Sequence, residues 1–473
     1  MGTINSALNI MTGALEADQE ALSVVANNVA NANTTGYTQE SPNWQENSPI
    51  RVGSLLIGSG VTETGATSQR DRVLLERLNQ QQQLASSSST RLTALNSIQA
   101  LFTPDSGSST SAAGDIGSDI TTFFNSFSSL EANPTNNALR EQVLSSASTL
   151  AGDISSAASS LNAQKAAIDQ EASGVSSQVN ALTGAIAQLN LQIESTSPNA
   201  DAGALEDQRQ QDLSQLSQLI GINQITTENN GLSVTTTTGQ LLVSEGQSFQ
   251  LTTGNVNGVT DFFLSGTDVT SSLTTGGGEL GGYLTARDVD IPNTLGSLDQ
   301  LAYNISTTVN AQNNAGTDLN GVTGTAASPL YIFNEPAQVS GSAASMRVIM
   351  TDPSQIAAAG AGNGTGDNSN AVTMASLASQ TIVNGQTPIN FYSNFVSTLG
   401  STVSEVQTEN TAQKASVSQL QTQNSALSSV NLNDEAAAMS KLETSYQAAS
   451  QVFAILNTLM TSALNLGVQT AVS

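Results

Sequence analysis

The 473-residue sequence contains no cysteine and no histidine. These absences remove disulfides, thiolate nucleophiles, the commonest general base and nearly all zinc and copper sites together. They do not fix a compartment, because a cysteine-free chain suits either redox environment. Positive charge is also scarce: 12 lysines and arginines stand against 38 acids, for a net charge of -26. Nucleic-acid binding rests on neutralising phosphates, so no nucleic-acid partner is expected, and an anionic membrane surface is disfavoured for the same reason. Charged residues of both signs make up only 11% of the chain, well below the usual quarter or so. Ser, Thr, Asn, Gln, Ala and Gly fill the gap.

Long apolar runs are missing too. Val452 to Val468 is the most apolar stretch, but Asn457, Thr458, Thr461, Ser462 and Asn465 interrupt it, whereas a membrane span needs about 20 predominantly apolar residues. It reads as an amphipathic partner helix, with no membrane insertion. The first basic residue is Arg51 and no continuous apolar core precedes it, so a cleaved secretory signal is not expected.

What the chain does have is a pair of matching apolar stripes, one at each end. Ile4, Leu8, Met11, Leu15, Leu22, Val25 and Val29 recur at steps of four and three, with Asp18 the single interruption. Leu432, Met439, Leu442, Tyr446, Ala449, Phe453, Leu456, Met460 and Ala463 do the same near the C-terminus. This spacing lines one face of a helix, and two such helices bury their seams most simply against each other as a coiled-coil-like stalk. No charge follows Glu443, and only Glu16, Asp18 and Glu20 precede Gln39. Neutral flanks can be buried against further copies without stranding ions, which would otherwise cost several kcal/mol each. Alone, such a pair is marginal, so both ends are expected to be disordered in the free monomer.

Between the ends the pattern runs helix, sheet, helix. Asn27 to Tyr37 is rich in Asn and ends in Gly36-Tyr37, a helix stop. Thr38 to Gly65 is irregular or strand-rich, Asp71 to Phe102 is helical, and Ser106 to Gly117 is a Ser/Gly loop. From Asn137 to Ser195, Leu150, Ile154, Ala157, Leu161, Gln164 and Ile168 hold a heptad. Ala172 adds an extra step of four before Val175, Val179, Leu182, Ile186, Leu189 and Ile193 resume it. That step is a stutter, which unwinds a supercoil locally without breaking it. Pro198 ends the helix and Leu205 to Ile220 forms its antiparallel return.

Between Gly221 and Gly278 the period falls to two, giving a small outward antiparallel β domain whose removal assembly is expected to tolerate. A helix from about Ile291 to Val309, short strands near Leu330 to Phe333 and Met346 to Met350, a Gly-rich linker from Gly360 to Asn370 and a helix from about Phe391 to Leu427 complete the chain. The expected class is mainly α with a β insertion. Its parts are a terminal helical assembly domain (1–40 plus 430–473), a long-helix body (41–220 plus 279–429) and the β domain (221–278).

Catalytic chemistry finds little support. The glycines at 360, 362, 364 and 366 lack the third glycine of a dinucleotide fingerprint at the required spacing. Asp318-Leu319-Asn320-Gly321 starts like a calcium loop, but Pro329 occupies the closing Glu position, so an Asx turn is expected. Asp288 and Asp290 beside Arg287 read as a solvated, partly paired surface. Lys165, Lys414 and Lys441 lie in helical stretches with polar neighbours, and no Ser-Lys pair is indicated. Trp44 reads as a packing anchor for the stalk. No catalytic, metal or cofactor residue is assigned, and no enzyme activity is expected.

The stretch Ala26 to Tyr37 resembles the asparagine-rich motif that ends the N-terminal helix in the flagellar rod, hook and hook-associated protein family, with Thr35 where many members have proline. Its motif positions are Asn27, Asn28, Asn31, Asn33, Gly36 and Tyr37. Val430 to Glu435, followed by Tyr446-Gln447-Ala448, is similar to the family's C-terminal signature. Gly277 to Asp288, Asn310-Ala311-Gln312 with Gly316 to Gly321, Phe123-Phe124 to Asn133-Pro134 to Arg140, and Gly366-Asp367-Asn368 resemble segments of its hook-filament junction branch. The β region is short, so an outer domain of longer relatives reads as missing or reduced.

The resemblance implies export through the flagellar type III channel, an extracellular location on the bacterial flagellum and self-assembly into a ring. The neighbours it implies are the hook protein and the next hook-associated protein or filament subunits. It also implies a cytoplasmic export chaperone covering Leu442, Phe453, Leu456 and Met460. Two other readings stay open: a hook or rod structural subunit, and a secreted surface adhesin on a flagellin-like scaffold.

Overall fold

The computed structural model describes residues 2–52, 55–102, 115–197, 200–228, 230–256 and 258–469. Residues 106–114 of the Ser/Gly loop, and Pro198, lie outside the described residues. Helix α1 (Gly2–Asn31) leads into an arm of four short strands, β1 (Glu40–Glu46), β2 (Ile50–Val52), β3 (Leu55–Ile57) and β4 (Val61–Ser68). In the arm β1 pairs antiparallel with β4, and β2 with β3. Helices α2 (Arg72–Ala100), α3 (Ile116–Ala132), α4 (Asn137–Thr196) and α5 (Ala204–Leu219) follow.

Local sequence sets the helix starts. The side chain of Asp71 accepts the N–H groups of Val73 and Leu74, that of Asp115 the N–H of Ser118, and that of Asn136 the N–H of Ala138. Each is an N-cap, satisfying donors that the first turn leaves unpaired.

The β region begins with a four-stranded antiparallel sheet of β5 (Ile222–Thr226), β6 (Leu232–Thr236), β7 (Leu241–Ser244) and β8 (Gln247–Ser248). A three-stranded sheet of β9 (Leu251–Val256), β10 (Val259–Leu264) and β11 (Thr267–Asp268) follows it. Next come α6 (Thr270–Gly276) and α7 (Gly278–Thr285), which continues through a π turn at Ala286–Asp290 into α8 (Ile291–Ala315). Gly278 carries φ +74, and a Cβ there would lie 2.4 Å from the Cα of Ile220. Only glycine lets α7 start this close to the end of α5.

Short α9 (Ser342–Ser345) and α10 (Ser369–Ser376) precede the two last long helices, α11 (Pro388–Ser428) and α12 (Leu432–Gln469). The two segments expected as strands near 330–333 and 346–350 meet only through a bridge between Phe333 and Val348. The side chain of Asn310 takes the N–H groups of Ile332 and Phe333 instead of a partner strand.

Two apolar cores form. One joins α2, α3, the first part of α4, α8 and α11, and contains Phe123 edge-on to Phe127 at 5.4 Å and to Phe333 at 5.6 Å. The other joins the far part of α4 to α5, α7 and the strands of the β region. The boundary on α4 falls between Ile168 and Ala172, at the stutter. The β sheets thus share a core with the helical hairpin. Loss of the 221–278 segment would open Val175, Val179, Leu213 and Leu216 to water.

The Gly360–Asn370 segment is a tied loop and not a linker. The carboxylate of Asp367 accepts from Gly360 N at 2.7 Å, Asn363 Nδ2 at 3.0 Å and Ser369 Oγ at 2.5 Å. These bonds hold its pKa far below the usual carboxylate range, the Ser369 hydroxyl contributing most. Three acceptor bonds over the ten residues 360–369 tie the loop to one carboxylate. Asp318 forms the expected Asx turn, accepting from Asn320 N at 2.8 Å and Val322 N at 2.7 Å.

Candidate assembly site

The first and last helices, α1 and α12, pack against each other, and α1 also lies along β1 and β4. Ile4, Leu8, Met11, Leu15 and Leu22 are half-buried, as are Met439, Leu442, Ala449, Phe453, Leu456, Met460 and Ala463. The fully buried row of α1 is Ala17, Ala21, Val25 and Asn28. Beyond Leu15 this row meets the expected stripe at Val25 and otherwise runs one position before it, at Ala17, Ala21 and Asn28. A helix held between two neighbours buries the line that bisects them, and the arm draws that line away from the row facing α12.

Three stripe residues therefore stand outside the seam: Val29 (40% exposed), Tyr446 and Leu432 (52%). In the first turn of α12 the inward position belongs to Glu435 instead of Leu432, because hydrogen bonds claim its carboxylate.

Those bonds define a polar knot. Asn28, 1% exposed, donates from Nδ2 to the carbonyl of Glu40 at 2.8 Å and to Glu435 Oε1 at 3.1 Å. Its Oδ1 accepts from Tyr37 OH at 2.7 Å and from Glu40 N at 3.0 Å. Gln39 Nε2 donates to the same Glu435 oxygen at 2.7 Å, and Gln39 N to the carbonyl of Ser428 at 2.8 Å. The buried amide of Asn28 thus joins the end of α1, the start of the arm and the start of α12.

The other motif asparagines serve the turn itself. Asn31 Nδ2 donates to Asn27 Oδ1 at 2.8 Å, Asn31 Oδ1 accepts from Thr34 Oγ1 at 3.1 Å, and Asn33 is exposed. Gly36 has φ +80, with the Gln211 amide donating to Thr35 O beside it. A Cβ at Gly36 would fall 2.1 Å from that amide. Burial, with the charges of Glu40, Asp207 and Glu435, pushes the Tyr37 hydroxyl up to about 12, so it stays a donor.

A second layer ties this turn to the body. Thr38 donates through N (2.9 Å) and Oγ1 (2.6 Å) to Asp207 on α5, and Ser68 N donates to Asp201 at 2.7 Å. Arg70 lies among Glu206, Asp207 and Asp201, reaching Asp207 Oδ1 at 2.6 Å, while Arg72 meets Glu206 at 3.1 Å. Burial pushes Asp201 up, but N–H donors from Gly203 and Ser68 outweigh it and leave it below the usual range. Burial raises Glu40, as do Asp201 and Asp207. Such buried charges hold one geometry because each partner is needed to solvate the other. Sequence alone signalled Asn28 and Glu435 through their motifs. Nothing pointed to Arg70, Asp201, Glu206 or Asp207.

Two further expectations are corrected. Trp44 is 51% exposed on β1, because the two-stranded arm has no layer over that position, so it anchors no packing here. Arg287 is 1% exposed, not a surface residue: it reaches Asp169 Oδ1 and the carbonyl of Thr260, each at 2.6 Å, and Asp288 at 2.8 Å. Asp290 is likewise buried and pairs with Arg91 at 2.9 Å. The π turn aims this basic residue at α4. Among the described residues no group of three or more acidic side chains could hold a metal, and no described helix is long and apolar enough to cross a membrane.

Comparison with known proteins agrees with this architecture. Residues 105–327 match the flagellar hook-associated protein FlgK helical domain, and residues 8–38 match the flagella basal body rod protein family. The class of protein that the chain resembles is structural and flagellar. Within it, the chain resembles flagellar hook-associated protein 1. It is 28% identical over 334 residues to that protein of Salmonella typhimurium, covering 68% of this chain and 59% of the relative. With its Bacillus subtilis counterpart it shares 24% identity over 511 residues, covering 96% of each. The chain thus spans 59% of the length of the Salmonella relative. In fold it is similar to the flagellar hook junction protein FlgK from Burkholderia pseudomallei. The TM-score is 0.64 at 19% identity, over 73% of this chain and 99% of that one.

Proposed function

We propose that the chain is a structural junction subunit linking the flagellar hook to the filament, exported by the flagellar type III system and assembled through its terminal helices into a ring outside the cell. The observation that carries this reading is the α1–α12 pair: its seam is only half-buried, and α12 keeps Val452, Ile455, Leu459 and Leu464 exposed on another face. A helix with two apolar faces and no charge beyond Glu443 suits a crowded, neutral wall of further copies.

In this reading the terminal assembly domain is 1–40 plus 430–473, disordered before assembly. The body is 41–220 plus 279–429, and 221–278 faces outward. The hook protein and the next hook-associated protein or filament subunits are its neighbours along the axis. Before export a cytoplasmic chaperone covers Leu442, Phe453, Leu456 and Met460, the side that later meets α1. No reaction is catalysed.

Deleting the gene in its motile source, with electron microscopy of the cells and immunoblotting of the medium, tests the proposal. Hooks without filaments and flagellin shed into the medium are expected. Absent hooks would point to a rod or hook subunit, and unaltered flagella would overturn the flagellar reading.

A further inference from the structure

Two buried arginines, Arg140 and Arg209, form no ion pair among the described residues, and they are satisfied unequally. Arg140, 1% exposed, donates from all three guanidinium nitrogens to the carbonyls of Pro134 and Ile356. Arg209 on α5, 7% exposed, uses Nη1 alone, for Asn190 Oδ1 at 2.9 Å and the carbonyl of Asn230 at 2.8 Å. Its Nε and Nη2 make no hydrogen bond among the described residues. A buried charge held by neutral acceptors on one side only is costly until a counter-ion completes it.

Arg209 lines a cleft of about 200 Å³ between the start of α2, α5 and strands β5 and β6. Arg70 and Arg72 line it too, so three of the chain's nine arginines converge there. The acids on its wall are Glu76 and Glu206, and Glu206 Oε2 is already taken by Arg70 and Arg72. Asp207 and Asp201 pair with Arg70 but turn to Thr38 and Ser68, and neither lines the cleft. The wall therefore holds three cations against two anions, in a chain of net charge -26. Burial above all, then the like charges of Arg72 and Arg70, holds Arg209 down at about 10 against the pull of Glu206, so it stays cationic at neutral pH. Leu75, Leu213 and Leu232, all buried, supply an apolar side.

We infer that this cleft binds a short-chain monocarboxylate, its carboxylate on Nε and Nη2 of Arg209 with Arg72 beside it, and its carbon chain against the leucines. An arginine edge takes a carboxylate through two parallel bonds. The volume lies below the ~300 Å³ at which pockets begin to hold drug-sized ligands, which limits the chain to a few carbons. Glu76 and Glu206 oppose a second negative charge, so a monoanion is favoured over phosphate. The site is independent of the assembly reading.

Isothermal titration calorimetry of the full chain at pH 7 tests it, with butyrate, its neutral amide butyramide and inorganic phosphate as probes. Saturable heat is expected for butyrate alone. Arg209→Gln should weaken it at least about tenfold, the scale of a lost charge-assisted hydrogen bond. Arg72→Gln should weaken it severalfold, and because the Arg72 side chain is 55% exposed this variant tests the cleft even where the Arg209 variant fails to fold. No saturable heat with butyrate, or equal heat with butyramide, would overturn carboxylate recognition. Phosphate binding in place of butyrate would overturn the ligand class. Unchanged butyrate affinity in the folded variants would overturn the cleft as the site.

Discussion

The body and the terminal helix pair use the same apolar spacing to different ends. In α4 the stripe from Leu150 to Ile193 is almost wholly buried, with Leu150, Ile154, Leu161 and Val179 closed to solvent. In α1 and α12 the same pattern reaches only half burial, and Ile455 and Leu459 face water. The difference is the number of neighbours: α4 meets α3, α5, α7, α8 and strands of the β region, whereas α12 has α1. A stripe states that a helix has a face to bury; only the surrounding chain states whether the burial is complete.

Breaking the body should cost most. Phe123→Ala removes a ring packed against three other phenylalanines and is expected to destabilise the folded chain by about 3–5 kcal/mol in urea unfolding. A loss under 1 kcal/mol would show that this core is not the stabilising one. Next comes the knot between the two regions. Asp207→Ala leaves Arg70 and the N–H of Thr38 short of an acceptor, at a cost of about 3 kcal/mol. Hydrogen exchange should register it as faster exchange around Thr38, and unchanged protection there would refute the link.

Asp119 gives a smaller effect with a defined sign. Burial, a hydrogen bond shared with Asp153 and the charges of Asp153 and Asp115 push its carboxyl up to about 7. Its folded pKa thus lies above the unfolded value, and the folded chain holds a proton that the unfolded chain releases. Stability should fall as pH rises from about 4 to about 7, then level off. The side chain is partly exposed, so after solvent screening the effect is about 1 kcal/mol. Asp119→Asn should flatten that slope in thermal melts, and an unchanged slope would remove Asp119 as its source.

The smallest effect on stability is expected where the effect on function is largest. Leu22→Asp or Phe453→Asp should change unfolding of the soluble chain by no more than about 0.5 kcal/mol while abolishing filament attachment. Normal filaments in either variant would sink the assembly seam.

How much was legible follows the same division. The α4 stripe and its stutter could be read because one face meets the core over many turns, and regularity survives local exceptions. Asp207 could not be read, since its role depends on Thr38, 169 positions away, and no periodicity links them. Trp44 was misread because large aromatic rings usually gain most from burial, and nothing local says that a two-stranded arm lacks a covering layer. Arg287 was misread because a basic residue followed closely by two acids, Asp288 and Asp290, looks solvated unless the turn that redirects it is known. The Gly-rich loop misled for the reverse reason: glycines suggested freedom, while a single carboxylate, Asp367, withdrew it.

Helix α4 has one more consequence. Its 60 residues make a rod about 90 Å long, and it is the element on which both cores are built. The cores meet end to end along it near Ala172, so one cannot twist against the other without bending or winding this helix. The continuous α7–α8 helix crosses the same boundary, with Leu284 in one core and Ala286 in the other, so load passes between the cores through two helices. On α4 that crossing falls at the stutter, so there the coupling between the cores runs through the backbone hydrogen bonds of a few helical turns.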